Sequence, residues 1–82
     1  MKIRYKYQDV INEYEIEFKG SIYKVRFREY SDCIVIKDIL LICDVIETKK
    51  PQPNFINRYL RTYETEYKQI ETLIKLICPY NG

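Results

Sequence analysis

The side chains with chemistry to offer are three cysteines, Cys33, Cys43 and Cys78, and a patterned set of carboxylates and cations in the first third of the chain. A cysteine attacks or ligates as the thiolate, and histidine, the usual base that generates one, is absent. The thiols are odd in number and lack the Cys-x-x-Cys spacing of zinc and redox sites. They read as reduced, partly buried small hydrophobes; a Cys33 to Cys43 bridge would require their two segments to pair. The only glycines, Gly20 and Gly82, leave no phosphate-cradling loop. No catalytic residue, metal or cofactor is therefore expected, and the remaining chemistry is that of ion pairs and aromatic faces.

Those charges come in three alternating stretches. Lys2-Ile3-Arg4-Tyr5-Lys6-Tyr7 is basic, Glu13-Tyr14-Glu15-Ile16-Glu17-Phe18 is acidic, and Tyr23-Lys24-Val25-Arg26-Phe27-Arg28 is basic again. A period of two places charges on one face of a strand and apolar residues on the other. A type II′ turn at Gly20-Ser21 would set Phe18, Ile16 and Tyr14 across from Tyr23, Val25 and Phe27. It would set Glu17, Glu15 and Glu13 across from Lys24, Arg26 and Arg28. A four-residue loop from Asp9 to Asn12 would then align Tyr7, Tyr5 and Ile3 with Tyr14, Ile16 and Phe18, and Lys6 and Arg4 with Glu15 and Glu17. The expected result is a central acidic strand, a neutralised outer face and an aromatic inner face.

Further along, Cys33 to Lys37 is a short β-branched strand and Ile39 to Ile46 an apolar run whose periodicity fits a buried strand or a helical segment; the β-branched content favours strands four and five, or one long strand bent at Lys37-Asp38. Pro51 and Pro53 mark a connector over 48–53. Beyond it, Ile56, Leu60, Tyr63, Tyr67, Ile70, Ile74 and Ile77 recur at helical spacing, which predicts a helix over 54–78, capped by Asn54 and stopped by Pro79. Its 25 residues would run about 37 Å, longer than a six-residue strand. The overhang suggests a homodimer through the helix as an alternative to ordinary core packing. The expected fold is α+β: an antiparallel β-meander of three to five strands over 1–47, with one long C-terminal helix on one face, all in a single domain spanning 1–82.

Composition narrows the function classes. A net charge of +2 lacks the strong basicity of most nucleic-acid modules. The opening Met1-Lys2-Ile3-Arg4 has no apolar core of a signal peptide, and the longest apolar run, Ile39 to Cys43, is far too short to span a bilayer, so a cytoplasmic protein is expected. The short Ile-, Lys-, Tyr- and Glu-rich chain without His or Trp resembles, in composition alone, small proteins of viruses and mobile elements. Among these, inhibitors of host defence, anti-CRISPR proteins included, act by stoichiometric binding, and a virus-encoded one would work in the host cytoplasm. The resulting expectation is a non-enzymatic module that binds another protein, with a nucleic-acid-associated regulator as the alternative. Tyr30, Lys49, Lys50, Arg58, Arg61 and Tyr80 are the expected partner-binding residues, as aromatics and cations outside the paired stretches.

Overall fold

β-Branched and aromatic residues at alternating positions carry the chain into extended structure almost from its first residue, and helical periodicity takes over only near its end. The computed structural model describes residues 1–44 and 54–77. The strands are β1 (Lys2–Tyr7), β2 (Asn12–Phe18), β3 (Ser21–Glu29), β4 (Ile34–Asp44) and β5 (Asn54–Tyr59), followed by helix α1 (Thr65–Ile77). All neighbours pair antiparallel, in the order β1-β2-β3-β4-β5. The α+β meander with a C-terminal helix is thus the fold of the described residues.

The inner face of the sheet carries the core. Tyr14, Ile16 and Phe18 of β2, Tyr23, Val25 and Phe27 of β3, and Ile34, Ile39 and Leu41 of β4 meet Tyr67, Ile70 and Ile74 of α1. The three helix positions are spaced three and four apart and so share one face. Burying an isoleucine fully is worth about 1.5–3 kcal/mol, and Ile16, Ile39, Ile70 and Ile74 are each fully buried. Tyr14 and Phe27 add an edge-to-face ring contact at 5.0 Å. Burial pushes the Tyr23 and Tyr67 phenols above their usual range, so both remain neutral.

Residues 54–59, expected as the start of the helix, form β5, and α1 is 13 residues long. Phe55 and Tyr59 satisfy helical spacing, but a separation of four also fits the period of two that keeps residues on one face of a strand. Pairing with the otherwise open edge of β4 decides the matter. Leu40 and Leu41 sit opposite Tyr59 and Arg58, Cys43 opposite Phe55, and Asn57 takes up the extra residue with a φ of 52°. Asparagine tolerates that left-handed backbone better than most residues. Leu60 prolongs the pairing by donating its N–H to the Ile39 carbonyl at 2.8 Å. At 13 residues α1 rises about 20 Å, so among the described residues the helix does not outrun the strands.

The cap of α1 is Glu64, with Asn54 placed in β5. The Glu64 carbonyl accepts from the Lys68 N–H at 3.2 Å, while its carboxylate reaches back to the Arg61 N–H at 2.6 Å and accepts from Arg58 Nη1 at 3.0 Å. These donors hold the Glu64 carboxyl below its ordinary range, the Arg58 hydrogen bond contributing most. One side chain thereby ties β5, the connecting turn and the helix start.

The hairpin register also differs from the expected one. The β2–β3 turn is Lys19-Gly20, with φ of 49° and 76°, the positive pair of a type I′ turn, and Phe18 faces Ser21. Moving the turn back one residue slides the pairing by two, which preserves the faces: Glu13 now meets Arg26 and Glu15 meets Lys24, while Glu17 meets Ile22. Lys19 pays a local backbone cost that tertiary contacts offset, donating to Gln69 Oε1 at 3.0 Å and lying 5.3 Å from the Phe18 ring centre. Ser21 donates to Asp44 Oδ1 at 2.6 Å across β3 and β4.

In β1 the change is larger. A bulge between Ile3 and Tyr5 shifts the register by one, so Tyr5 and Tyr7 face Glu15 and Glu13, and Lys6 faces Tyr14. A one-residue shift exchanges the two faces of a strand, and the tyrosines expected inside lie outside. β4 follows the single-bent-strand reading: its register to β3 shifts at Lys37 and again at Ile42, bending it at the expected Lys37-Asp38. Cys33 and Cys43 are free thiols near opposite ends of β4, ten residues apart. At about 3.3 Å per residue they cannot bridge.

Candidate interaction surface

Among the described residues the helix covers only the inner face, so the outer face and the two edge strands are where their side chains remain available. Across the middle of the outer face runs a row of opposed charges. Arg26 of β3 faces Glu13 of β2 on one side and Asp38 of β4 on the other. Its guanidinium makes a two-pronged contact with the Asp38 carboxylate, Nε donating to Oδ1 at 2.8 Å and Nη2 to Oδ2. That pairing drives the Arg26 pKa above its already high value, through the hydrogen bond to Asp38 first and the charge of Asp38 second. Toward β1, Arg4 Nε lies 3.8 Å from Glu15 Oε2. The row is a set of mutually neutralising pairs, as the alternation in the sequence implies.

Aromatic side chains flank this charged row at both margins. Tyr5 and Tyr7 on β1 are 56% and 50% exposed, and Phe55 and Tyr59 on β5 are 67% and 56% exposed. A shallow depression of about 220 Å³ lies beside the Arg26–Asp38 pair, lined by Glu13, Lys24, Leu40 and Tyr59 as well. A second, larger groove of about 530 Å³ runs between the β2–β3 turn and α1, with Phe18 and Leu73 as its apolar wall and Lys19, Lys68 and Gln69 at its rim.

Geometrically this surface suits recognition. Among the described residues, no three His, Cys, Asp or Glu side chains come together in a way that could hold a metal ion. The buried thiol of Cys43 is pushed up by desolvation, away from the reactive thiolate form. No helix among the described residues is long and apolar enough to cross a membrane.

The residues expected to bind a partner do not form one patch. Tyr30 is exposed in the turn between β3 and β4, where its N–H donates to the Cys33 carbonyl at 2.8 Å. Arg58 faces Leu41, seven residues along β4 from Ile34, a separation of about 20 Å. Arg58 and Arg61 are exposed and both engage Glu64, Arg58 through its side chain and Arg61 through its backbone. Lys49, Lys50 and Tyr80, like the 48–53 connector and Cys78, lie outside the described residues.

The residues that sequence reasoning missed are the four marginal aromatics. Tyr5 and Tyr7 are spaced by two and fit either face; the bulge at Arg4 that assigns them outward has no Gly or Pro to announce it. Phe55 and Tyr59 are spaced by four and looked like a helix stripe. No known protein family, curated protein sequence or solved structure matches this chain.

Proposed function

We propose that this chain is a small non-enzymatic protein-binding module that acts by stoichiometric association through the outer face of its sheet. The observation that carries the reading is the pair of exposed aromatic margins, Tyr5 and Tyr7 on one side and Phe55 and Tyr59 on the other, around a charged row satisfied within the chain. Tyrosine is enriched among residues that dominate binding energy, because a rigid ring buries much area for little lost entropy. A neutralised centre supplies orientation through polar contacts and adds little long-range attraction for polyanions. The finer reading is that the module inhibits a host defence component in the cytoplasm, as virus- and mobile-element-encoded anti-CRISPR proteins do; its support is the compositional resemblance.

A second reading, nucleic-acid binding, draws on one observation: Tyr5, Tyr7 and Tyr59 share the outer face with Lys24 and Arg26, the ingredients of a base-stacking platform. Glu13, Glu15 and Asp38 on the same face disfavour phosphate, which ranks it second. The test is affinity capture from a host lysate with the wild-type chain and with Tyr5→Ala/Tyr59→Ala, followed by light scattering of the purified complex. The reading expects one protein retained at a fixed stoichiometry and lost by the double variant. Retention of no protein, together with retardation of RNA or DNA in a gel at low salt, would overturn it.

A further inference from the structure

From the geometry of the sheet edge we infer that β1 accepts an acidic, extended segment of a partner protein as a sixth strand. The inference rests on the protein-binding reading and names the chemistry of the partner. Among the described residues β1 has a neighbour on one side only, and every one of its residues except the half-buried Ile3 is exposed. About half of the N–H and C=O groups of such a strand point away from its single neighbour, a ready template for another extended chain.

Charge selects what that chain can be. β1 carries Lys2, Arg4 and Lys6 and no carboxylate. Its existing neighbour supplies Glu13, Glu15 and Glu17, but Glu13 and Glu15 are shared with Arg26 and Lys24 of β3 on the far side. Among the described residues, the ion pair of β1 is Arg4 with Glu15 at 3.8 Å, while Lys6 lies over the Tyr14 ring at 5.1 Å. Lys2 is answered by Glu17 across β2, but the bulge at Arg4 puts Lys6 on the other face, opposite Tyr14 and without a carboxylate partner, so an incoming alternating strand with Glu or Asp across from Lys6 would supply on the open side the charge that β2 does not. Tyr5 and Tyr7 then lie at cross-strand distance from the apolar residues of an alternating sequence.

The same cations disfavour the in-register forms of the simplest competitor, a second copy of β1. An antiparallel copy centred on Arg4 sets Arg4 against Arg4, and an in-register parallel copy stacks every cation on itself. Like charges directly opposite are destabilising, so the edge rejects its own kind while attracting an acidic strand. β5, the other edge, is a poorer template: Asn57 interrupts it with a positive φ, and Arg58 is committed to Glu64.

The experiment uses the full chain and three probes: a capped eight-residue peptide alternating glutamate with isoleucine or valine, its twin with lysine for glutamate, and an oligouridylate of eight nucleotides. Amide hydrogen exchange read by NMR should show β1 amides slowed by the acidic peptide and untouched by the lysine twin. One cross-strand charge pair is worth about a 1.4- to 5-fold change in affinity, so Lys6→Gln should weaken the acidic peptide by that factor. Should the variant fold poorly, weakening of the wild-type interaction by added salt reads the same attraction. Equal protection by both peptides, protection by the oligouridylate instead, or an acidic peptide that leaves β1 exchange unchanged would overturn strand addition. If β1 is unchanged while a captured protein still binds at fixed stoichiometry, the edge inference fails alone; if no protein is captured, the binding-module reading fails.

Discussion

Arg26 is the residue on which the register of the outer face can be measured. Its two-pronged contact with Asp38 joins side chains that are 35% and 23% exposed, so the pair is neither fully hydrated nor buried. Two unit charges about 4 Å apart attract by about 1 kcal/mol in bulk water and about 4 kcal/mol at an effective dielectric of 20. Ordering the two side chains takes back roughly 1 to 2 kcal/mol, which leaves a coupling of about 1–2 kcal/mol. Arg26→Ala also strands Glu13 and Asp38 on either side of an empty position, so the single variant should lose about 2 kcal/mol, or roughly 8–16 °C in Tm for a chain of this size.

The assay is urea unfolding followed by circular dichroism for the wild type, both single variants and the double variant, from which the pair coupling is extracted. The same cycle should give about 0.2–1 kcal/mol for Arg26 with Glu13, its direct neighbour across β2 and β3. Arg26 with Glu15, one position off, should give a smaller value. A coupling to Asp38 below about 0.3 kcal/mol, or a coupling to Glu15 larger than that to Glu13, would refute the register described above.

Other outcomes follow from the same contacts. Ile70→Ala, at a fully buried helix position, should cost about 2–5 kcal/mol, while Leu76→Ala, 73% exposed on the same helix, should stay within about 0.5 kcal/mol; thermal melts of the two variants check the orientation of α1. Glu64 has its folded-state pKa below the ordinary 4.5, so its contribution is complete above that value and is lost as pH falls through the lower folded-state pKa. Between pH 6 and pH 3 the wild type should therefore lose more stability than Glu64→Gln, as denaturant midpoints at each pH would show. Asn57→Val places a β-branched residue at a φ of 52° and should destabilise by about 1–2 kcal/mol, whereas Asn57→Gly should be nearly neutral, both read from the unfolding midpoint.

What the sequence determined by itself is whatever depends on period and pairing chemistry between near neighbours. Alternation over Glu13 to Phe18 and Tyr23 to Arg28 settled which face of β2 and β3 is buried, because a slide of two residues leaves every side chain on its own face; moving the turn to Lys19-Gly20 changed partners and no faces. The spacing of Tyr67, Ile70 and Ile74 likewise named the buried stripe of the helix. Tertiary structure decided the rest, and each case turns on a contact far away in the chain. Residues 54–59 became a strand because β4 offered an open edge to pair with. Lys19 accepts a left-handed backbone because Gln69, fifty residues on, receives its ammonium. The bulge at Arg4 turned Tyr5 and Tyr7 outward, and one inserted residue on an edge strand costs so little local energy that no sequence signal marks it. The marginal aromatics and the basic open edge, on which the functional reading rests, belong to that second group: their residue types were visible from the start, but their exposure is a property of the assembled sheet.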